Sequence, residues 1–336
     1  MTGAAETPRL SARFDSARRT LWLIRNYVYD YRRFARSSFL HGPTSRESRK
    51  AHIHLLAHTV EHGLSLSKPR PGFGIEKVRQ LIEEVSAYIR DHGVDPSAEI
   101  AVKALVAYVA FNRDNGADIH EIPAAVERLS ARIAVAREDL LGGTEEVTAE
   151  GIRQHAAMDF LGFMEARHSV RQYADRPVDP RQIENAVRAA HQSPSSCNRQ
   201  TCKVYAFTDK AAIAKVLSFQ SGHRGFGEQL GGLAVITTDI RHWGTVGERN
   251  QGWVDGGMFA MTLALGLHAE GLGACMLNWS ETRDVDTAMR THVGIPDNEL
   301  VITMLGFGHM PDRFKVPRSQ RKPIDEVLRL DPAISA

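Results

Sequence analysis

The sequence predicts a two-part protein: an all-helical N-terminal portion, then a domain in which helices and strands alternate. Three observations carry this reading. Residues from about 11 to 141 keep apolar side chains at helical spacing, Gly142-Gly143 interrupts the pattern, and strand-like apolar runs appear between helix-like stretches only after about residue 150. At 336 residues the chain is longer than most single domains, which also favours two.

The first segment, 13–39, is basic and aromatic, with Arg18, Arg19, Trp22, Tyr27, Tyr31, Arg32 and Arg33. It reads either as an amphipathic helix on a membrane surface or as a packed helix that buries Trp22, Ile24 and Val28 while its arginines stay wet. Packing is the expectation. In "AHIHLLAHTVEHGLS", His54, His58 and His62 fall on one helical face, and "HTVEH" has the spacing of inverted zinc peptidases. A catalytic zinc needs a third protein ligand and an open position, and no partner motif follows, so half-buried histidines are expected and no metal. "IEKVRQLIEEVSAYIR" places Ile75, Val78, Leu81, Ile82, Val85, Tyr88 and Ile89 on one stripe. Pro96-Ser97 opens a further helix to about Phe111, and Ile122 to Leu141 reads as another. Gly142-Gly143 and "TEEVTAE" form the linker, giving a helical domain over 1–145 and a second domain over 151–332.

In the second domain, helix-like 153–167 leads to an extended approach to Pro177, then a helix over 180–191 and the polar loop "SPSSCNRQ". The strand "KVYAFT", a helix after Asp209, the strand "LAVITTD", a long apolar helix over about 254–270 and strand-like runs at 273–278 and 300–307 follow. "GHRGFGEQLGG" precedes a strand, where a dinucleotide fingerprint precedes a helix, so it reads as a glycine loop.

Composition excludes several classes. The chain is 43% apolar and 24% charged, as globular proteins are. No run reaches the ~20 apolar residues of a membrane span. "MTGAAETPRL" has no secretory core, and three cysteines without a CxxC pair suit neither a disulfide framework nor zinc, so a cytoplasmic protein is expected. Residues 1–50 hold eleven Arg/Lys against four Asp/Glu within a total of +2, a basic face and not a nucleic-acid binder.

Three segments carry chemistry. In "RHSVRQYADRPV", alternate residues of extended chain share a side, so Arg167, Ser169 and Arg171 can converge on one anion. "SPSSCNRQ" offers Ser195, Ser196, Asn198 and Gln200 to a polar ligand. In "RSQRKPIDEV", Arg318, Arg321 and Lys322 precede a short helix, and guanidinium forks suit phosphate.

"RHSVRQY…PV", "SPSSCNRQ", "VYAFTD", "DGGMFAMTLALGLHAEGLGA", "GFG" and "RKPIDEV", in that order, resemble the nitroreductase family of flavin enzymes over about residues 158–330. The resemblance implies an α+β fold with a central mixed sheet flanked by helices, here preceded by the helical domain. It also implies an intertwined homodimer with FMN held at the interface. Carried over, Arg167 and Ser169, with His168 between them, would hold the FMN phosphate and ribityl chain. Arg321 would close on the phosphate beside Arg318, and Arg171 would lie by the pyrimidine edge. Pro194, Ser195, Ser196, Asn198 and Gln200 would form the loop that meets the cofactor, in part across the subunit boundary. Met276, Leu277 and Asn278, with Trp279, would line the isoalloxazine, a backbone N–H near Asn278 facing N5, and Gly271 and Gly273 would let backbone approach closely. The implied activity is ping-pong hydride transfer from NAD(P)H to an unidentified small-molecule acceptor, without a protein acid–base dyad. The helical extension, with its E-x-GLS…R-x-GFG turn, resembles one on nitroreductase-like proteins associated with surface-polysaccharide assembly.

The sequence departs from the family pattern at Thr201-Cys202, commonly Pro-Trp, and in the short segment "IRHWGTVGERNQGW". His242, Trp243, Arg249 and Asn250 there either touch an acceptor or belong to a polar loop. Cys197 and Cys202 are either a redox pair or inert. Two other readings stay open: a flavin dehydrogenase or oxidase on a biosynthetic intermediate, and a catalytically silent dimer that binds an assembly partner through the helical domain.

Overall fold

The computed structural model describes residues 7–133 and 141–332, with side chains of the first helix from residue 17 onward. Five helices come first: α1 (Thr7–Ser37), α2 (Arg46–Leu64), α3 (Ile75–His92), α4 (Pro96–Asp114) and α5 (Ile122–Arg132). Each of the helices α2 and α4 starts where a side chain caps it. Ser45 accepts from Ser48 N at 3.1 Å, and Asp95 accepts from Ser97 N at 3.1 Å, with Pro96 in the first turn. The stripe read in α3 is the buried one: Val78, Leu81, Val85, Tyr88 and Ile89 meet Ile53, Leu56 and Val60 of α2 and Leu105 and Tyr108 of α4. The helix expected over 122–141 reaches Arg132, and residues 134–140 lie outside the described residues.

The E-x-GLS…R-x-GFG turn is a packing device. The Phe73 ring lies where a Cβ on Gly63 would be, 2.1 Å from it, and Tyr108 donates to the Phe73 carbonyl at 2.7 Å. Any side chain at residue 63 would push Phe73 off this core.

None of the described side chains of α1 belongs to that core. Its C-terminal half docks on the second part of the chain, where Tyr29 donates to Asp286 at 2.7 Å and Arg33 to the Asp297 carbonyl at 3.0 Å. This reverses the packing expected for the basic segment. Arg33 is buried, while Trp22, Ile24 and Val28 are exposed, because the docking surface is acidic: Asp284, Asp286 and Asp297.

In the second part, the helix expected over 153–167 is two short ones, α6 (Ala149–Ala156) and α7 (Phe160–Ala166). Asp159 starts the second by accepting from Gly162 N at 3.0 Å. α8 (Pro180–His191), β1 (Cys202–Phe207), α9 (Lys210–Leu217), β2 (Gly232–Asp239), α10 (Gln251–Ala269), β3 (Leu272–Asn278), α11 (Arg283–Val293), β4 (Glu299–His309) and α12 (Ile324–Val327) complete the chain. The fold is α+β, as expected. The sheet runs β1-β2-β4-β3 with every neighbouring pair antiparallel. The parallel component expected of a mixed sheet is, among the described residues, one bridge between Ser169 and Ala274 on the outer edge of β3. α8 and α10 cover one face through Ala186, Phe259, Leu263 and Leu267; α9 and α11 cover the other through Ile213, Leu217 and Met289. No helix among the described residues is long and apolar enough to cross a membrane.

Candidate functional site

The segment after α7 is drawn onto the outer edge of β3. Val170 N donates to the Ala274 carbonyl at 3.0 Å, and Gly273 permits this approach, since a Cβ there would meet Val170 Cβ at 2.9 Å. Gly271 instead takes a left-handed turn, φ 73°, ahead of the strand. In a strand, the N–H and C=O of one residue point the same way and alternate along the chain. The Ala274 carbonyl faces the outer edge, and the Leu277 carbonyl faces β4, where Thr303 Oγ1 donates to it at 3.1 Å. Met276 and Asn278 therefore turn their backbone groups outward, along the same edge that Ser169 joins at Ala274. Gln220 donates to the Asn278 carbonyl at 3.2 Å. From the level of Ser169 to Asn278 is four residues, roughly 13 Å of strand.

At the α7 end of this edge, positive charge collects. Arg167 is half-buried, and its buried Nε has no hydrogen-bond partner. Burial pushes the Cys275 thiol of β3 up in pKa, while the nearby positive charges of Arg171 and Arg167 both pull it down. Burial lowers the His268 pKa, and Arg167 and His168 add to that. Among the described residues, Arg167, Arg171, Arg318 and Arg321 have no carboxylate partner. Such a set suits an anion with several acceptor oxygens. Arg318 and Arg321 are exposed on the segment that leaves β4, which passes the edge where Gln172 meets the Lys315 carbonyl at 3.4 Å.

The loop 193–200 lies elsewhere. It enters β1, at the opposite border of the sheet, so about three strand spacings, roughly 14 Å, separate it from β3. One chain does not bring the three patches together. The loop is firmly built: Ser196 N donates to Asp255 at 3.1 Å, and Ser193 Oγ to Thr262 at 2.8 Å, both on α10. Two hydroxyls expected to face a ligand serve the loop itself, since Ser195 Oγ accepts from Gln200 N and Ser196 Oγ from Arg199. Cys197, Asn198 and Gln200 all take left-handed backbone, with φ of 51°, 51° and 50°. For residues with a Cβ such strain persists only where surroundings hold it, and it concentrates at functional sites. Pro194, Asn198 and Gln200 remain exposed. Cys197 and Cys202 are free thiols, and burial pushes Cys202 up to about 12.

Arg199 is the residue sequence reasoning passed over. Fully buried, it donates to the carbonyls of Ser196 at 3.1 Å and His242 at 2.8 Å, pairs with Glu248, and stacks on Trp243 at 4.6 Å. Trp243 is thus a buried anchor and no acceptor contact, and the 240–250 turn locks the loop against α2, which packs on both. Asp255 was equally legible in principle, as the lone carboxylate in the apolar stretch that becomes α10.

His242 beneath this turn is neutral. Burial, opposed by Asp239 and Glu47 and assisted by His54 and Arg241, takes its pKa from 6.5 to about 4. The unfolded chain therefore binds the extra proton between those values, so this contribution is complete above pH 6.5 and lost as pH falls towards 4. Melting temperature should drop between neutrality and about pH 4.5, with His242 accounting for on the order of 2–3 kcal/mol. His242→Gln should flatten that profile in calorimetry; an unaltered slope would assign it elsewhere. His54 meets Ser97 Oγ at 3.1 Å, and His58 lies 3.9 Å from Glu61. Among the described residues no three His, Cys, Asp or Glu side chains are arranged to hold a metal.

The model of the nitroreductase family matches residues 164–223 and 222–309. The chain carries a nitroreductase-family domain. That domain contains the β3 edge, the 193–200 loop and Arg199; α1 to α5 lie outside it. Solved structures similar to the nitroreductase half include an FMN-dependent nitroreductase of Clostridium difficile R20291 (21% identity, 52% of this chain and 99% of that one, TM-score 0.43). Others are a nitroreductase family protein of Streptococcus pneumoniae (18% identity, 51% and 100%, TM-score 0.45) and one of Clostridium difficile 630 (20%, 52% and 100%, TM-score 0.45). No curated protein matches the chain.

Proposed function

We propose that this protein is an FMN-dependent oxidoreductase, working as a homodimer, that passes hydride from NAD(P)H to a small-molecule acceptor. The observation that carries the reading is the outer edge of β3, with carboxylate-free cations at one end and outward-turned strand backbone at the other. The residues fit the cofactor. Arg167, through its unpartnered Nε, would bind the phosphate with Ser169 and His168, and Arg318 and Arg321 would fold onto it from the C-terminal segment. Arg171 would oppose negative charge on the ring system, while Met276, Leu277 and the Asn278 N–H would orient the ring. FMN bound there supplies the hydride chemistry. Pro194, Ser195, Ser196, Asn198 and Gln200 would come from a second copy, because the chain's own loop is on the far border of its sheet. The N-terminal helices would brace the cofactor domain of 151–332, α2 holding the loop in shape.

A yellow preparation, bleached by NADH or NADPH when oxygen is excluded, is the expected result. A colourless protein that takes up no FMN on reconstitution would overturn the reading. The resemblance of the helical extension supports seeking the acceptor among intermediates of surface-polysaccharide assembly.

A further inference from the structure

α1 reaches the turn that follows β3, at the end of the edge where the flavin ring would lie. α11 starts without a side-chain cap of its own, and Asn26 of α1 supplies an acceptor for Arg283 N at 2.8 Å. One turn further along each helix, Tyr29 donates to Asp286 Oδ2 at 2.7 Å. Asp286 is buried, and its other oxygen, Oδ1, accepts from Trp279 Nε1 at 2.9 Å. Trp279 is the first residue beyond β3, next to Asn278. Two hydrogen bonds in series therefore link a helix outside the family-matched residues to the indole that follows Asn278.

Trp279 is held on one side and open on the other. It packs against the core beneath α9 and α11, and a cleft of about 390 Å³ between α1, α10 and the end of β3 reaches it from outside. Trp22 of α1, Trp253 of α10 and Trp279, three of the chain's four tryptophans, line that cleft with Asn26 and Ser280. Its size and aromatic lining suit a small molecule with a flat ring. The carboxylate behind Trp279 is pulled from several sides. Arg290 Nε donates to Oδ2 at 2.9 Å, Arg33 lies 3.6 Å from the same oxygen, and Arg290 also donates to the Tyr29 hydroxyl at 2.6 Å. That hydroxyl occupies Oδ2 and takes up one Arg290 donor, which fixes the plane of the carboxylate. Without it, both cations compete for Asp286, and Oδ1 turns off the indole N–H.

We propose that Tyr29 is a positioning residue for hydride transfer: through Asp286 it fixes the Trp279 indole as a wall of the cleft in which nicotinamide, and then the acceptor, meets the flavin. The proposal rests on the flavoprotein reading above. The test is stopped-flow bleaching of the flavin, oxygen excluded, by NADH or NADPH, whichever reduces the wild type faster. Wild type, Tyr29→Phe, Trp279→Phe and the double variant are compared, with FMN content and melting temperature on the same samples. Tyr29→Phe should keep its FMN and bleach about 10-fold more slowly at low nucleotide, since misplacing a reacting pair by about 1 Å costs up to about 100-fold. The double variant should be no slower than Trp279→Phe, because the hydroxyl acts only through the indole. A bond that merely braces the fold would slow both backgrounds alike. Losses that multiply in the double variant, or a Tyr29→Phe rate equal to wild type, overturn the proposal and leave the flavoprotein standing. A wild type that holds no FMN, or that neither nucleotide bleaches, overturns both. Should Tyr29→Phe fail to fold, 3,5-difluorotyrosine in place of Tyr29 decides the matter, since it keeps the shape but loses its proton closer to neutrality. Its bleaching rate should fall away from that of the wild type as pH rises, and parallel profiles would overturn the proposal.

Discussion

Arg199→Met is expected to destabilise the protein by about 3–5 kcal/mol, because it strands a partly buried carboxylate and two carbonyls at once. Burial raises the pKa of Glu248, but the bonds from Arg199 and from Gly244 N outweigh it and leave the group ionised and lowered. Without the guanidinium, that charge keeps only the backbone donors Gly244 at 2.9 Å and Thr245 at 3.0 Å. The melting temperature should fall on the order of 10 °C. Glu248→Met on the same background should restore part of the loss, since a hydrophobic pair tolerates the site better than a lone ion. Arg199→Lys keeps the charge but cannot reach Ser196, His242 and Glu248 together, so it should resemble Met more than wild type. A loss below about 1 kcal/mol would mean that the loop is held by its bonds to Asp255 and Thr262 of α10 without Arg199.

The second large effect belongs to the cofactor. The double variant Arg167→Ala/Arg321→Ala should lose FMN on gel filtration while keeping its circular dichroism. Hydrogen bonds to a charged group contribute about 1.5–3 kcal/mol each, so two together correspond to roughly a hundred- to ten-thousand-fold in Kd. Both side chains lie outside the cores and have no carboxylate to leave stranded, so the fold should be spared. Riboflavin, which lacks the phosphate, should bind wild type and variant alike. Unchanged FMN affinity in the double variant would remove the phosphate from this end of β3.

Much of the architecture was legible because local signals agreed. Asp179-Pro180 and Asp95-Pro96 announce helix starts and sit at them; "KVYAFT" and "LAVITTD" pair in register from Cys202–Thr238 to Phe207–Leu233. The apolar stripe of α3 could be named residue by residue because the charged residues between its members leave one face to bury. What failed was orientation between elements. Periodicity shows that α1 has an apolar face, but not that three aspartates more than two hundred residues away would claim its arginines. Arg199 has the same cause. In a loop its neighbours in sequence are small and polar, and only the fold returns Trp243 and Glu248 to it. The candidate site was legible as separate patches. Their spacing across the sheet is a product of strand order, which no single segment encodes.

The manner in which α1 is attached has one more consequence. The exposed pairs that tether it, Arg25–Asp284 and Arg36–Asp297, are coulombic and fade as dissolved electrolyte shortens the Debye length. Arg33, between them, is buried and is screened far less, so added electrolyte loosens the outer pairs of the docked segment before its centre.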